Sequence, residues 1–191
     1  MKSGSLQEQI TFLREMEKLK AVTRNNKTLD SRYENSAEHS WHAAIMALLL
    51  EEHAENHLDM LRVTKLLLIH DIVEIDVGDI SIYEPEQDSK ARREREAALR
   101  IFSLLPEEQK QEYLSLWSEF EEKSTEEAKF ASVIDGIQPL LNHLLTGDPG
   151  DGVIPVEQVR ERKEYIAEYA PGLWDLVEVL IEESKARGLY T

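Results

Sequence analysis

Leu66-Leu67-Leu68-Ile69-His70-Asp71-Ile72-Val73-Glu74 is an apolar run broken by one imidazole and two carboxylates. Its hydrophobicity is that of a buried segment, and a charge in such a place is costly unless a partner meets it. On a helix, residues three and four apart share a face, so Glu74 would stand with His70 and Asp71 and all three could reach one cavity. Lys65 is the only basic residue between Thr64 and Lys90, which leaves Asp71, Glu74, Asp76 and Asp79 without a cation nearby in sequence. A bound metal ion would supply the missing charge. Six residues from His70, about 600° of helical rotation, Asp76 is turned off that face and reads as a solvated carboxylate.

Outward from this run the periodicity is helical almost throughout, with apolar residues at three- and four-residue spacings, and predicts an all-α domain. Leu6 to Leu19 forms a first amphipathic helix, and the polar stretch Thr23 to Tyr33 reads as a loop. Asn35 or Ser36 caps the next helix, with Glu38 completing a capping box and His39 in the first turn. The His70 helix should run from Asp59 to Val77-Gly78, glycine being the usual residue past a helix end. Ser81 to Asp88 reads as a loop beside the candidate site, followed by a helix from Ser89 to about Leu104. Pro106 suits the first position of a helix to Glu122, and Ser124 with Glu127 suggests a second capping box opening the helix that carries Asp135. After a loop at Thr146 to Gly152, two helices, about Val156 to Tyr169 and Gly172 to Arg187, close the chain.

At 191 residues the chain suits one compact domain, 1–191, with its chemistry between about 36 and 145. Hydrophobic residues at 41% and charged residues at 31% argue for a folded globular protein rather than a disordered one. With 22 basic and 38 acidic residues, the net charge of -16 repels nucleic-acid backbones and anionic membranes, so long nucleic acids and membranes are not expected partners. There are no cysteines, which excludes disulfides, thiolate metal sites and cysteine nucleophiles. With no apolar stretch of membrane-spanning length and no signal-like N-terminus, a cytoplasmic location is expected.

His39, the His70-Asp71 pair and Asp135, all on expected helices, resemble the HD superfamily of metal-dependent phosphohydrolases. His70-Asp-Ile-Val-Glu-Ile-Asp-Val-Gly-Asp79 is similar to the bacterial 5′-deoxynucleotidases and their eukaryotic HD-domain relatives. Ser36-Ala-Glu-His-Ser-Trp-His42 and Ala91-Arg-Arg-Glu-Arg-Glu-Ala-Ala98 extend the likeness. The resemblance implies an HD-domain helical bundle and a homodimer. It assigns His39, His70, Asp71 and Asp135 as ligands of one divalent metal, drawn from Mn, Co, Fe, Ni, Zn or Mg, and Glu74 and Asp79 as acid-base and substrate-positioning carboxylates. The activity implied is hydrolysis of a (deoxy)nucleoside 5′-monophosphate, a small nucleotide substrate, to nucleoside and phosphate. Two imidazoles and two carboxylates leave positions open for water, as hydrolysis requires.

One departure bears on the sugar. The deoxynucleotidases carry an Arg closely followed by a Trp before the first metal histidine, and here the loop reads Arg24-Asn-Asn-Lys27. Arg24 can still bind phosphate, whereas the loss of indole bulk separates nucleotidase activity from any preference for deoxyribose. Other readings of the pattern are a catalytically silent HD-fold module that binds a nucleotide or protein, an HD-type phosphodiesterase, and a two-iron oxygenase, for which His42, Glu74 and Asp79 are the extra ligands on offer. His42 otherwise reads as a hydrogen-bonded neighbour of the site, while His53, His57 and His143 carry no assignment. Lys90, Arg92, Arg93 and Arg95, interleaved with Glu94 and Glu96, read as an ion-paired helix face or a phosphate-attracting edge. Trp41, Trp117 and Trp174 read as core or interface packing, with Trp41 a further candidate to line the cavity.

Overall fold

The computed structural model describes residues 3–79, 87–149 and 154–191. The chain folds as helices: α1 (Ser3–Met16), α2 (Ser36–Leu50), α3 (Met60–Ile69), α4 (Glu74–Val77), α5 (Gln87–Phe102), α6 (Glu107–Glu122), α7 (Glu126–Thr146), α8 (Val156–Lys163), α9 (Tyr165–Tyr169) and α10 (Pro171–Ala186). The expected all-α class holds.

α3 occupies the middle, packed against α2, α6 and α7. Val63, Leu66 and Leu67 are each fully buried there, and full burial of such a side chain is worth about 1.5–3 kcal/mol. The capping box at α2 forms as expected: Asn35 Oδ1 accepts from the Glu38 amide at 3.1 Å, and the Glu38 carboxylate accepts from the Asn35 amide at 3.3 Å. α7 is capped by Thr125 rather than Ser124, its hydroxyl oxygen accepting from the Ala128 amide at 3.1 Å. The same hydroxyl donates to Glu119 at the end of α6, which ties the α6–α7 corner together and selects Thr125 over its neighbour. Pro106 stands just before α6 as its N-cap, one position earlier than expected.

Three further expectations are corrected. The stretch Thr23 to Tyr33 is no simple loop: β1 (Thr23–Lys27) pairs antiparallel with β2 (Tyr33–Asn35), in a register of Thr23 with Asn35 and Lys27 with Tyr33 interrupted by an irregularity. Asn and Lys are poor strand formers, and tertiary bonds hold the hairpin, among them Asn26 Nδ2 donating to the Pro139 carbonyl at 3.1 Å. The single helix expected from Asp59 to Val77 is three pieces. Asp59 caps α3, His70–Val73 tighten into a 3-10 turn, and α4 follows before Gly78, whose φ of 75° suits glycine. Trp41 is 63% exposed, so it is neither core nor cavity wall, whereas Trp117 is buried and Trp174 packs against the core.

The expected loop Ser81 to Asp88 lies largely outside the described residues, as do the last residues of the expected loop at Thr146 to Gly152. Among the described residues no helix is long and apolar enough to cross a membrane.

Candidate metal centre

Three stretches far apart in sequence meet at one place: the β1–β2 hairpin running into the start of α2, the turn after α3, and the middle of α7. α2 delivers His39, completely buried. Its Nδ1 lies 2.8 Å from Gln138 Oε1 and its Nε2 lies 2.8 Å from Asp135 Oδ1. The turn delivers His70, whose Nδ1 sits 2.9 Å from the Leu67 carbonyl while Nε2 approaches Asp71 Oδ1 at 3.1 Å and Asp135 Oδ1 at 3.3 Å. Buried Nε2 of His70 nevertheless has no hydrogen-bond partner.

This geometry is a test of metal fit. Each imidazole turns Nδ1 to a neutral oxygen acceptor and Nε2 to carboxylates, the arrangement found when the second ring nitrogen of a ligating histidine is held by an outer hydrogen bond. His39, His70 and Asp135 offer ligand atoms that all lie within 4.8 Å of one another. Asp71 stands at the edge of the group, 3.7 Å from His39 Nε2. Two imidazole nitrogens and a carboxylate converging at this distance suit a divalent ion, which His39, His70 and Asp135 would hold with Asp71 beside them.

The expectation that the acidic cluster lacks a cation is overturned by the tertiary fold. Arg24, on β1, reaches in and donates from Nη1 to Asp71 Oδ2 at 2.8 Å, with Glu74 Oε1 at 3.7 Å. Its other side faces Glu34, Nε to Oε2 at 3.9 Å. Burial alone would lower the guanidinium's pKa, yet the charges of Asp71, Asp79, Glu74 and Asp135 raise it, so Arg24 stays charged. The residue expected to bind phosphate is therefore at the site, and it is engaged with an expected metal ligand.

The carboxylates divide by environment. Burial would raise Asp135, but the hydrogen bond to His39 and the nearness of His70 prevail and hold it well below the usual carboxylate range. Burial and then the charge of Asp71 push Glu74 up to about 8, against the opposing pull of Arg24 and of Ser36. Ser36 Oγ donates to Glu74 Oε2 at 2.5 Å, which fixes the carboxyl. For His70, burial works downward, and the charges of Asp71 and Asp135 overcome it and lift the ring to about 9. Asp79, half-buried after Gly78, acts on both Arg24 and Glu74 through its charge. Asp76 points away and pairs with Arg100, Nη2 to Oδ1 at 2.6 Å.

Sequence reasoning passed over the polar residues behind the donors. Gln138 and Asn142, three and seven residues past Asp135, lie on the buried side of α7, and Glu34 on β2 is buried with them. Gln138 Nε2 donates to Glu34 Oε1 at 2.9 Å and lies 3.2 Å from His42 Nδ1, so His42 belongs to this network and not to the donor set. The basic face of α5 is ion-paired at least in part, Lys90 lying 3.6 Å from Glu94. Gly136 has a packing reason: a Cβ there would collide with the Tyr165 hydroxyl, which donates to the Ser132 carbonyl at 3.0 Å.

The HD domain family model matches residues 16–174. The 5′-deoxynucleotidase HDDC2 of Mus musculus is 35% identical over 142 residues, 73% of this chain and 70% of the mouse protein. That of Homo sapiens is 35% identical over 135 residues, 69% of this chain and 65% of the human protein. The match thus spans about two thirds of these relatives' length. A predicted metal-dependent phosphohydrolase from Magnetospirillum magnetotacticum MS-1, known from a crystal structure, is 41% identical with a TM-score of 0.90, covering 99% of this chain and 100% of that one. An HD-domain phosphohydrolase from Listeria innocua, 20% identical with a TM-score of 0.68 over 94% of this chain and 90% of that one, shares the fold.

Proposed function

This chain belongs to the HD-domain family, and from that premise we propose that it is a metal-dependent 5′-nucleotidase, cleaving (deoxy)nucleoside 5′-monophosphates to nucleoside and phosphate. The observation that carries the reading is the convergence of two imidazole Nε2 atoms on the Asp135 carboxylate, beside a buried Glu74 raised to about 8. The 5′-deoxynucleotidase relatives support the substrate class.

His39, His70, Asp71 and Asp135 would hold one divalent ion, Mn, Co, Fe, Ni, Zn or Mg. Such an ion supplies positive charge for the phosphoryl oxygens and a lowered pKa for an attacking water. Glu74, held in place by Ser36, is the carboxylate that receives the proton of the attacking water. Asp79 holds or protonates the leaving sugar oxygen. Arg24, shared between Asp71 and Glu74, binds the phosphate with its fork of donors.

We further read residues 1–191 as one domain working in the cytoplasm, a reducing compartment that suits a cysteine-free chain. Homodimer formation is supported by Trp41, Ile45, Leu48 and Leu49, an apolar row left exposed along α2 at helical spacing.

Phosphate release from AMP, dAMP and the other nucleoside monophosphates, with Mn²⁺ or Co²⁺ loaded, tests the activity. Release from at least one of them is expected. A metal-loaded protein that frees no phosphate from the whole panel refutes the proposal, and the AMP to dAMP ratio reads the sugar preference that the absent tryptophan leaves open.

A further inference from the structure

We propose that Glu34 is a positioning residue that determines, through Gln138, which nitrogen of His39 is free to bind a cation. The inference deepens the metal-centre reading and rests on His39 being a ligand.

Glu34 is 4% exposed and Gln138 fully buried, so water does not compete freely for their bonds. One oxygen of Glu34 accepts two amides of α7, Gln138 Nε2 at 2.9 Å and Asn142 Nδ2 at 3.0 Å. A carboxylate only accepts, so Gln138 must turn its NH₂ toward Glu34. Its second hydrogen is directed at His42 Nδ1, 3.2 Å away. The amide oxygen is then left facing His39 Nδ1 at 2.8 Å. An amide oxygen also only accepts, so His39 carries a hydrogen on Nδ1, and Nε2, which faces Asp135 at 2.8 Å, is the nitrogen left for a cation to take.

The opposite arrangement is excluded by the same chain of contacts. A reversed Gln138 would set its oxygen against the Glu34 carboxylate and its NH₂ against His39 Nδ1. That would bring two acceptors together in a buried place and move the imidazole hydrogen to Nε2, where it blocks metal binding. Glu34 thus selects one of two amide orientations, and the orientation selects the tautomer. Asn142, one helical turn beyond Gln138, holds the selecting oxygen in place. His70 Nδ1 is held by another route, the Leu67 backbone carbonyl, which a change at Glu34 does not touch.

The test reads the tautomer by long-range ¹H–¹⁵N correlation on the metal-free protein in mildly alkaline buffer, and the Mn²⁺ affinity by calorimetry. In the unaltered chain His39 should carry hydrogen on Nδ1. Glu34→Leu, which takes the acceptor away, should release Gln138, deprive His39 Nδ1 of its hydrogen, and weaken Mn²⁺ binding by about 10–100-fold. Glu34→Leu combined with Gln138→Glu, which can offer His39 Nδ1 only an acceptor, should recover both the Nδ1 hydrogen and the affinity. A bare Nδ1 on His39 in the unaltered chain overturns the proposal, and that measurement stands even if the variants do not fold. Unchanged Mn²⁺ affinity in folded Glu34→Leu overturns it too, as does failure of the folded double variant to recover. Neither readout involves nucleotide: a protein with hydrogen on His39 Nδ1 and this Mn²⁺ response that cleaves no nucleotide refutes the nucleotidase reading alone, and an active one with a bare His39 Nδ1 refutes the relay alone.

Discussion

The two segments that supply most of the donor set break opposite rules. The run through His70 contains no glycine or proline before Gly78, yet it leaves the α-helix for a 3-10 turn at His70–Val73. α7 carries Gly136 and Pro139 in its interior, both poor helix residues, yet it stays helical for 21 residues. Local propensity is overruled at both places, and both are at the site. The tightening has a geometric result. In a 3-10 turn residues three apart eclipse, so Glu74 stands over Asp71, and one guanidinium nitrogen of Arg24 reaches both, at 3.7 and 2.8 Å. On α7, the ordinary spacing of three and four sets Asp135, Gln138 and Asn142 in a row, with the donor first and its support behind.

If both segments serve one ion, His70→Ala in the turn and Asp135→Ala on α7 should each lower Mn²⁺ affinity by roughly 100-fold or more, at or beyond the upper end for residues that only support a ligand. Full Mn²⁺ binding by Asp135→Ala would remove α7 from the centre and break the comparison. Glu74→Gln should act next most strongly, lowering kcat by about 10²–10⁴ while leaving Mn²⁺ affinity within a few-fold. Loss of the metal together with the activity would instead make Glu74 a ligand.

The turn also carries a pH signature. Glu74 rises from 4.5 to about 8 and His70 from 6.5 to about 9, so both hold a proton more tightly folded than unfolded. The stability they contribute is complete below the unfolded values and is lost as the pH climbs through about 8 and 9. Asp135, shifted down, contributes above 3.8 and loses its effect only on the acid side. The melting temperature of metal-free protein should therefore decline from about pH 5 to pH 9, with Glu74→Gln flattening the lower part of that slope. A flat or rising curve over this interval would contradict the environments assigned to the turn.

Smaller effects sharpen the α7 half. Gly136→Ala forces a Cβ into the Tyr165 hydroxyl and should cost about 1–3 kcal/mol by overpacking, read from urea unfolding. An unchanged midpoint would mean that α9 yields without loss. Asn35→Ala removes the α2 cap below His39 and should cost about 1 kcal/mol, with little change in Mn²⁺ affinity.

What could be read from the residues alone follows the range of each interaction. His70, Asp71 and Glu74 stand out because they violate the apolar pattern around them, and the α2 cap because it is local. The 3-10 turn leaves no such mark, since Ile-His-Asp-Ile-Val is equally good helix. Arg24 was noticed as a phosphate ligand, but its bond to Asp71 spans 47 residues, and no local window shows it. The hairpin went unread because Thr-Arg-Asn-Asn-Lys has neither alternation nor strand composition. Gln138 and Asn142 did leave a trace: amides at three and seven residues past Asp135 interrupt the apolar face of α7, the same kind of violation that exposed His70. Glu34 left none beyond its two amides, 104 and 108 residues away.

Those separations have a kinetic and thermodynamic side. The site's bonds join residues 38, 47, 96, 99 and 113 positions apart. Each closes a long loop whose entropy must be met before the contact gives anything back. No half-formed chain holds the donors together, so the centre exists only when the whole bundle has closed. By mass action a ligand of the folded state then reports on that closure. The apparent metal affinity becomes a gauge of global stability, and a substitution far from the ion that opens the bundle will register there as a weaker Kd.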